Sequence, residues 1–133
     1  MPDLSIASRR ECEFIEITQK INELVPQNIK SGICHIFCQH TTAGLTINEN
    51  ADDDVKHDLL KKLDSLIPKD ECYYQHCEGN SAAHLKSSLM GVSLAVPIRN
   101  GKLHLGTWQG VYFCEFDGPR SRKVHILFQT AEY

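Results

Sequence analysis

A chain of 133 residues, 41% hydrophobic and 23% charged, can bury a core as one soluble domain without disulfide staples. Its formal net charge of −3 gives no basic footprint for nucleic acid, and no apolar run approaches the ~20 residues of a membrane-spanning helix. The first residues, MPDLSIASRRECEF, lack the apolar core of a signal peptide and are too acidic for a transit peptide, so a cytoplasmic location is expected.

Taken in chain order, CEFIEIT (12–18) alternates like a strand and runs into QKINELV, where Ile21, Leu24 and Val25 suggest a short helix stopped by Pro26. GICHIFCQH (32–40) reads as a second strand, with Ile33, His35 and Phe37 on one face and Cys34, Ile36, Cys38 and His40 on the other. Asn50 is the expected N-cap of the clearest helix. Asp52, Asp53 and Asp54 then fall in its first turn, where the helix dipole favours anions. Val55, Leu59, Leu63 and Leu66 form its expected buried stripe, and Pro68 ends it. NSAAHLKSSLMG repeats the plan, with Asn80 as N-cap, Ala82, Leu85 and Leu89 inward and Gly91 as C-cap. VSLAVPI, an Asn-Gly turn in RNGK, KLHLG, GVYFCEF and KVHILFQT complete the chain as a β-rich last third. Neither repeat, linker nor low-complexity tract interrupts residues 1–133. The fold class is α+β, a single domain with a largely antiparallel β-sheet covered by two main α-helices.

The six cysteines contain no C-x-x-C pair, which excludes a zinc ribbon or a thioredoxin-like motif. Cys34 and Cys38 would stand roughly 13 Å apart along one strand and cannot bond to each other. Small buried thiols in a reducing compartment are the expectation, a secreted disulfide scaffold the weaker reading.

Three polar stretches carry the chemistry: QHTTAGLTINEN (39–50), HCEGNSAAH (76–84) and GTWQG with Glu115. Strand ends and helix starts present side chains to clefts. If these ends converge, His40, Glu49, His76, Glu78 and His84 line one pocket. A metal site would draw its nitrogens from His40, His76 and His84, completed by Glu78, Glu49 or Cys77. No H-x-x-x-H pair fixes two ligands on one helix face. A phosphate site would use the backbone N–H groups of EGNS at the helix start, with Lys86 or Arg120. Each residue also has a plainer reading: Asn50 and Asn80 as caps, the aspartates as dipole partners, Trp108 as a core aromatic, His84 as a solvated side chain.

HTTAGLTINENADDDVKHDL, EGNSAAHLKSSLMG and LGTWQGVYFCEFDGPR closely resemble the YjbQ-like family, whose members are called secondary thiamine-phosphate synthases. The resemblance runs in the same order from about the second strand to the C-terminus. It implies a small α+β protein that assembles as a homotrimer, with polar clefts near subunit boundaries able to hold a divalent metal ion, zinc or magnesium. It also implies a secondary ability to join hydroxymethylpyrimidine diphosphate to thiazole phosphate, the primary role being unknown. Carried onto this chain, the catalytic candidates are His40, Glu49, Glu78 and His84, and the metal candidates His40, His76 and His84. Thr41, Asn48, Asn50, Gly79 and Lys86 are candidates for holding substrate. Trp108, Gln109 and Glu115 join them, Trp108 and Gln109 as the surface that orients a pyrimidine, and the phosphate reading of the residues adds Asn80 and Arg120. Cys77 stands where relatives often carry another polar or small residue.

The expected function is a metal-assisted enzyme acting on a small phosphorylated or heterocyclic substrate, a transferase of the thiamine-phosphate synthase type. The alternatives are a non-catalytic metabolite- or metal-binding trimer and a metal-dependent hydrolase of a small phosphorylated substrate. The chain is too short for a (β/α)8 barrel of ~250 residues.

Overall fold

Central to the architecture is a strand buried on both faces. In the computed structural model, which describes residues 2–132, the elements in chain order are β1 (Asp3–Ala7), β2 (Glu13–Glu16), α1 (Thr18–Leu24), β3 (Ser31–Cys38), β4 (Ala43–Glu49) and α2 (Asp53–Leu66). There follow α3 (Ser81–Met90), β5 (Ser93–Arg99), β6 (Lys102–Leu103), β7 (Gln109–Glu115) and β8 (Ser121–Thr130). The strands form a five-stranded sheet ordered β1-β8-β3-β5-β6 and a three-stranded sheet ordered β2-β7-β4, and every pairing is antiparallel. Val111 and Phe113 of β7 face the five-stranded sheet, where they meet Cys34, Ile36, Val96, Val124 and Ile126. Tyr112 and Cys114, one residue out of phase, face α2 and α3 and pack with Leu63 and Ala83. This places the small sheet between the large sheet and the two helices, and explains why GVYFCEF is apolar throughout instead of alternating. No helix among the described residues is long and apolar enough to cross a membrane.

The α+β class, the two main helices and the short third one follow the sequence expectation. β1 and β4 were not anticipated. β4 lies in AGLTINE, whose glycine and polar residues disguise a strand that lies beside β7 over its whole length. The KLHLG strand is only two residues long: the His104 N–H still meets the Pro97 carbonyl in register at 2.8 Å, but Pro97 has no N–H to return the bond. The Asn-Gly turn before it holds: Asn100 and Gly101 have φ of 53° and 75°, both in the left-handed region a tight hairpin turn requires.

The expected caps and stripes need correction. Asp52, not Asn50, caps α2, its carboxylate accepting the Asp54 N–H at 2.9 Å. Asn80 sits at the first boundary of α3 but makes no capping bond, because its side chain is drawn to Asp117 instead. Leu66 is exposed, as are Leu85 and Leu89, the last 61% so. The inward face of α3 carries Ala82, Ala83, Lys86 and Ser87. The cause is close packing on β4. A Cβ on Gly44 would stand 2.7 Å from the Gly91 carbonyl oxygen and 3.1 Å from Met90 Cβ. A helix this near a strand must turn small residues toward it, so the leucines face out. Ser87 Oγ then donates to the Thr41 carbonyl at 2.6 Å, tying α3 to the β3–β4 connection. All six cysteines are free, with Cys34, Cys38 and Cys114 buried, and burial pushes the Cys34 thiol up to about 12.

Candidate functional site

The β3–β4 connection, the α2–α3 loop, the first turn of α3 and the β7–β8 turn meet at one end of the small sheet. Between them lies a cleft of about 280 Å³ bordered by Thr41, His76, Glu78, His84, Arg120 and Arg122, with Thr42, Asn80 and Asp117 completing its walls. The His76 and His84 rings stand edge to face with centroids 5.3 Å apart. Glu78 makes no hydrogen bond or ion pair among the described residues and is exposed, so its carboxylate is uncommitted.

The floor is built from buried charge. Glu115 is fully buried, yet every lone pair it can offer is engaged. Ser8 Oγ and Arg122 Nε donate to Oε1 at 2.6 and 2.9 Å, and the Asp117 N–H donates to Oε2 at 3.0 Å, beside a close bond from Arg122 Nη2. Burial alone would raise this carboxyl's pKa, but the bonds from Arg122, Ser8 and the Asp117 amide outweigh it and hold the group below its ordinary value. Arg122 is only 5% exposed and also donates from Nη2 to Thr42 Oγ1 at 2.9 Å. On the rim, Asp117 accepts from Asn80 Nδ2 at 2.8 Å and Arg120 Nη2 at 2.9 Å, which fixes the Arg120 guanidinium over the cleft. Asn80 Oδ1 is buried with no partner, an acceptor left for a water or a ligand donor.

Six candidates read from the sequence therefore meet here: Thr41, His76, Glu78, Asn80, His84 and Arg120. Gly79 and Lys86 border an adjoining cavity of about 180 Å³ with Cys12 and Phe116. Lys86 is 4% exposed, its ammonium bound to Asp64 at 2.5 Å and held 5.9 Å from the Phe116 ring centre. Glu115 lies beneath the cleft and does not line it, so its part is to hold Arg122 rather than to touch a ligand there.

His40 does not border this cleft. Its Nε2 accepts the Lys123 N–H at 3.0 Å, and burial together with the nearby Arg122 charge lowers its pKa, favouring a neutral ring with the proton on Nδ1. It borders a separate cleft on the far side of Arg122. Asn48, Glu49, Asn50, Trp108 and Gln109 are remote in another way. β4 and β7 pair Ala43 with Glu115 at one end and Glu49 with Gln109 at the other. Six residues of strand separate those ends, roughly 20 Å. At the far end Asn50 Nδ2 donates to the Gln109 and Thr107 carbonyls at 2.9 and 3.4 Å, and Gln109 Oε1 accepts the Gly106 N–H at 2.8 Å. Asn48 Oδ1 accepts the Glu49 N–H at 2.8 Å. Trp108 is 63% exposed. The three polar stretches thus form two separate clusters within one chain, not the single pocket expected.

Sequence reasoning missed Arg122, Thr42 and Asp117. A signal was present for the first: Arg122 shares its strand face with Val124 and Ile126, and a charge in phase with a buried stripe demands a buried partner. The histidines are also too few for a metal in one chain. Among the described residues no group of three or more His, Cys, Asp or Glu side chains is close enough to hold an ion. His76 and His84 would supply two of the three protein ligands of a catalytic zinc.

The family model for UPF0047 protein YjbQ-like matches residues 2–131. The UPF0047 protein YugU of Bacillus subtilis is 51% identical over 124 residues, 92% of this chain and 94% of the relative. A UPF0047 protein of Methanocaldococcus jannaschii is 49% identical over 91% of this chain and 88% of its own length. Among solved structures, an uncharacterized conserved protein of the yjbq/upf0047 family from Clostridium acetobutylicum superposes with a TM-score of 0.93 at 50% identity, covering 97% of this chain and 100% of that one. A conserved hypothetical protein from Thermus thermophilus gives a TM-score of 0.92 at 41% identity over 97% and 100% of the two chains. With the family motifs, the match over nearly the whole length and the shared fold in agreement, the chain belongs to the UPF0047 YjbQ-like family.

Proposed function

We propose that the His76–Glu78–His84 cleft is the active site of a transferase for small phosphorylated substrates, of the thiamine-phosphate synthase type. The observation that carries this reading is the meeting of two imidazoles, a free carboxylate and two fixed guanidinium groups in one cleft of about 280 Å³. Displacement of pyrophosphate from a pyrimidine methylene by a thiazole nitrogen builds negative charge on the departing oxygen. Arg120 and Arg122 neutralise that charge from positions their carboxylate partners already fix, so little reorganisation is needed as the bond breaks. His84 or His76 enters as an imidazolium steadied by Glu78, gives its proton to the departing oxygen and is left neutral.

A zinc or magnesium ion here would need a ligand that one chain does not bring, and Trp108 and Gln109, the proposed pyrimidine surface, are ~20 Å of strand away. Both requirements favour a homotrimer in which neighbouring copies complete the site. Two different apolar patches suit a head-to-tail ring: Leu85, Leu89 and Val92 around the end of α3, and Ile33, Phe37 and Leu127 on the outer face of the large sheet.

The test is turnover of hydroxymethylpyrimidine diphosphate and thiazole phosphate by wild type and His84→Ala. The substitution is expected to lower kcat at least a hundredfold while moving the unfolding midpoint little, because His84 is only partly buried. Pyrophosphate release by the wild type without joining of the two substrates identifies a hydrolase. Tight binding with neither reaction identifies a non-catalytic metabolite binder, and either result defeats the transferase reading.

A further inference from the structure

Ser8, the residue after β1, lies outside the three motif stretches and does not line the His76–His84 cleft, yet its hydrogen bonds lead to both arginines that border it. We propose that Ser8 is a positioning residue, fixing the Arg120 and Arg122 guanidinium groups relative to one another. This assignment rests on the anion-holding role that the transferase reading gives the cleft.

The registered pairing of β1 with β8 ends at Ala7 and Ser121. One residue further on, Ser8 stands opposite Arg120, and its N–H donates to the Arg120 carbonyl at 2.9 Å as the ladder continues. The return bond changes partner. An antiparallel rung would send the Arg120 N–H to the Ser8 carbonyl, but it donates to Ser8 Oγ at 2.8 Å instead. The hydroxyl has a single hydrogen. Glu115 Oε1 lies 2.6 Å away and the Arg120 carbonyl 3.2 Å, so that hydrogen goes to the carboxylate, in the shorter, charge-assisted bond. One oxygen thus links the Arg120 amide to Glu115, whose Oε1 also receives Arg122 Nε at 2.9 Å. Each bond in such a chain polarises the next.

The surroundings keep this link short. Ser8 is only 6% exposed. A Cβ on Gly118 would stand 2.7 Å from Ser8 Oγ and 2.2 Å from the Arg10 carbonyl oxygen, and the Gly118 N–H donates to the Glu11 carbonyl at 3.0 Å. The turn between β7 and β8 is therefore clamped against residues 8–11. Within the turn, Arg120 Nε donates to the Asp117 carbonyl at 2.7 Å and Nη2 to Asp117 Oδ2 at 2.9 Å, so the guanidinium travels with the main chain that carries it. The turn is held to Glu115 at two points: directly by the Asp117 N–H at 3.0 Å, and by the Arg120 N–H through Ser8. Only the second uses a side chain that a substitution can remove. Ser8→Ala keeps the Asp117 point and the Glu115–Arg122 pair, so it is expected to fold with Arg120 loosened relative to Arg122.

The experiment is a two-dimensional NMR titration of the whole chain with inorganic pyrophosphate, following backbone amides and arginine Nε–Hε signals. In the wild type, saturable shifts are expected at Thr41, His84 and Arg120, and also at Ser8. Ser8→Ala should weaken pyrophosphate at least fivefold, and Ser8→Thr, which keeps the hydroxyl, should bind within about twofold of wild type. Thr18→Ala is the control. Thr18 Oγ1 accepts the Val111 N–H at 2.8 Å nearer the other end of β7, so its loss removes a bond of the same kind and should leave the affinity unchanged. An unshifted Ser8 amide in the wild type, an unchanged affinity in Ser8→Ala, equal losses in Ser8→Ala and Thr18→Ala, or weak binding by Ser8→Thr would overturn the proposal. A wild type that binds pyrophosphate in this pattern but joins no substrates removes the transferase reading and leaves the role of Ser8 standing. Turnover with an unaltered Ser8→Ala removes only the role of Ser8.

Discussion

The two ends of β7 are built on opposite plans. At one end Glu115 and Arg122 are buried and doubly bonded to each other, with Ser8 and the Asp117 amide bonding Glu115 and Thr42 bonding Arg122. At the other, Gln109 and Trp108 stand at the surface, and Asn50 holds their turn by bonding backbone carbonyls. The first end invests its polar side chains in fixing one guanidinium. The second uses polar side chains to fix the main chain and leaves the large aromatic free. A buried pair is costly to break because the survivor is stranded in low dielectric, whereas a surface turn can exchange its bonds for water. Position along one strand therefore predicts which substitutions damage the fold and which leave it nearly intact.

The sharpest way to break the contrast is Glu115→Ala. Leaving Arg122 buried and unpaired should cost about 3–5 kcal/mol, read as a lower urea midpoint with an unchanged slope. Acid should reach the same end of the strand next. Glu115 titrates below its ordinary value of 4.5 when folded, so its stabilisation is complete above the unfolded value and is lost as pH falls through the folded one. The lowered His40 has the same sign, since the unfolded ring takes up a proton first as pH drops below 6.5. Thermal midpoints should accordingly fall from pH 6.5 downward and most steeply below about 4.5. A Glu115→Gln protein that kept the steep limb would remove Glu115 as its source. At the other end Asn50→Ala should cost only about 1 kcal/mol, since its bonds are exposed to water. Trp108→Ala should shift stability by less than about 0.5 kcal/mol, and an unchanged Kd for a pyrimidine ligand in that variant would deny the aromatic any recognition role.

Much of this was legible in the residues, for reasons that can be named. Alternation in GICHIFCQH separated Cys34, Ile36, Cys38 and His40 from Ile33, His35 and Phe37, and Cys34, Ile36 and Cys38 are the buried face of β3. HCEGNSAAHLK announced a helix start beside polar residues, and His76, Glu78 and His84 do share a cleft. What failed was whatever depended on a neighbour. The leucines of α3 point outward because β4 brings a glycine beneath the helix, a fact invisible in the helix itself. Asn80 abandons its capping bond because Asp117, 37 residues on, is the better partner. Convergence of the three polar stretches could not be judged without the β4–β7 register, which puts Glu49 beside Gln109 and far from Glu115.

A strand enclosed on both faces also sets how the cleft can move. The amides of Tyr112 to Glu115 lie in the ladders with β2 and β4, that of Val111 donates to Thr18 Oγ1 at 2.8 Å, and all are shut off from solvent, so they are expected to open to exchange only when the domain as a whole unfolds. Arg122 is tied to that slow unit through Glu115. His76, Cys77, Glu78 and Gly79 lie in an exposed loop whose recorded backbone bond beyond the helices and strands is Gly79 N–H to the His76 carbonyl. One wall of the cleft thus carries the global stability of the protein and the other only its own local stability. Under the proposed transferase reading, the Arg122 guanidinium would stay in place while the His76 imidazole and the Glu78 carboxylate approach or withdraw, so a substrate would be admitted without disturbing that charge.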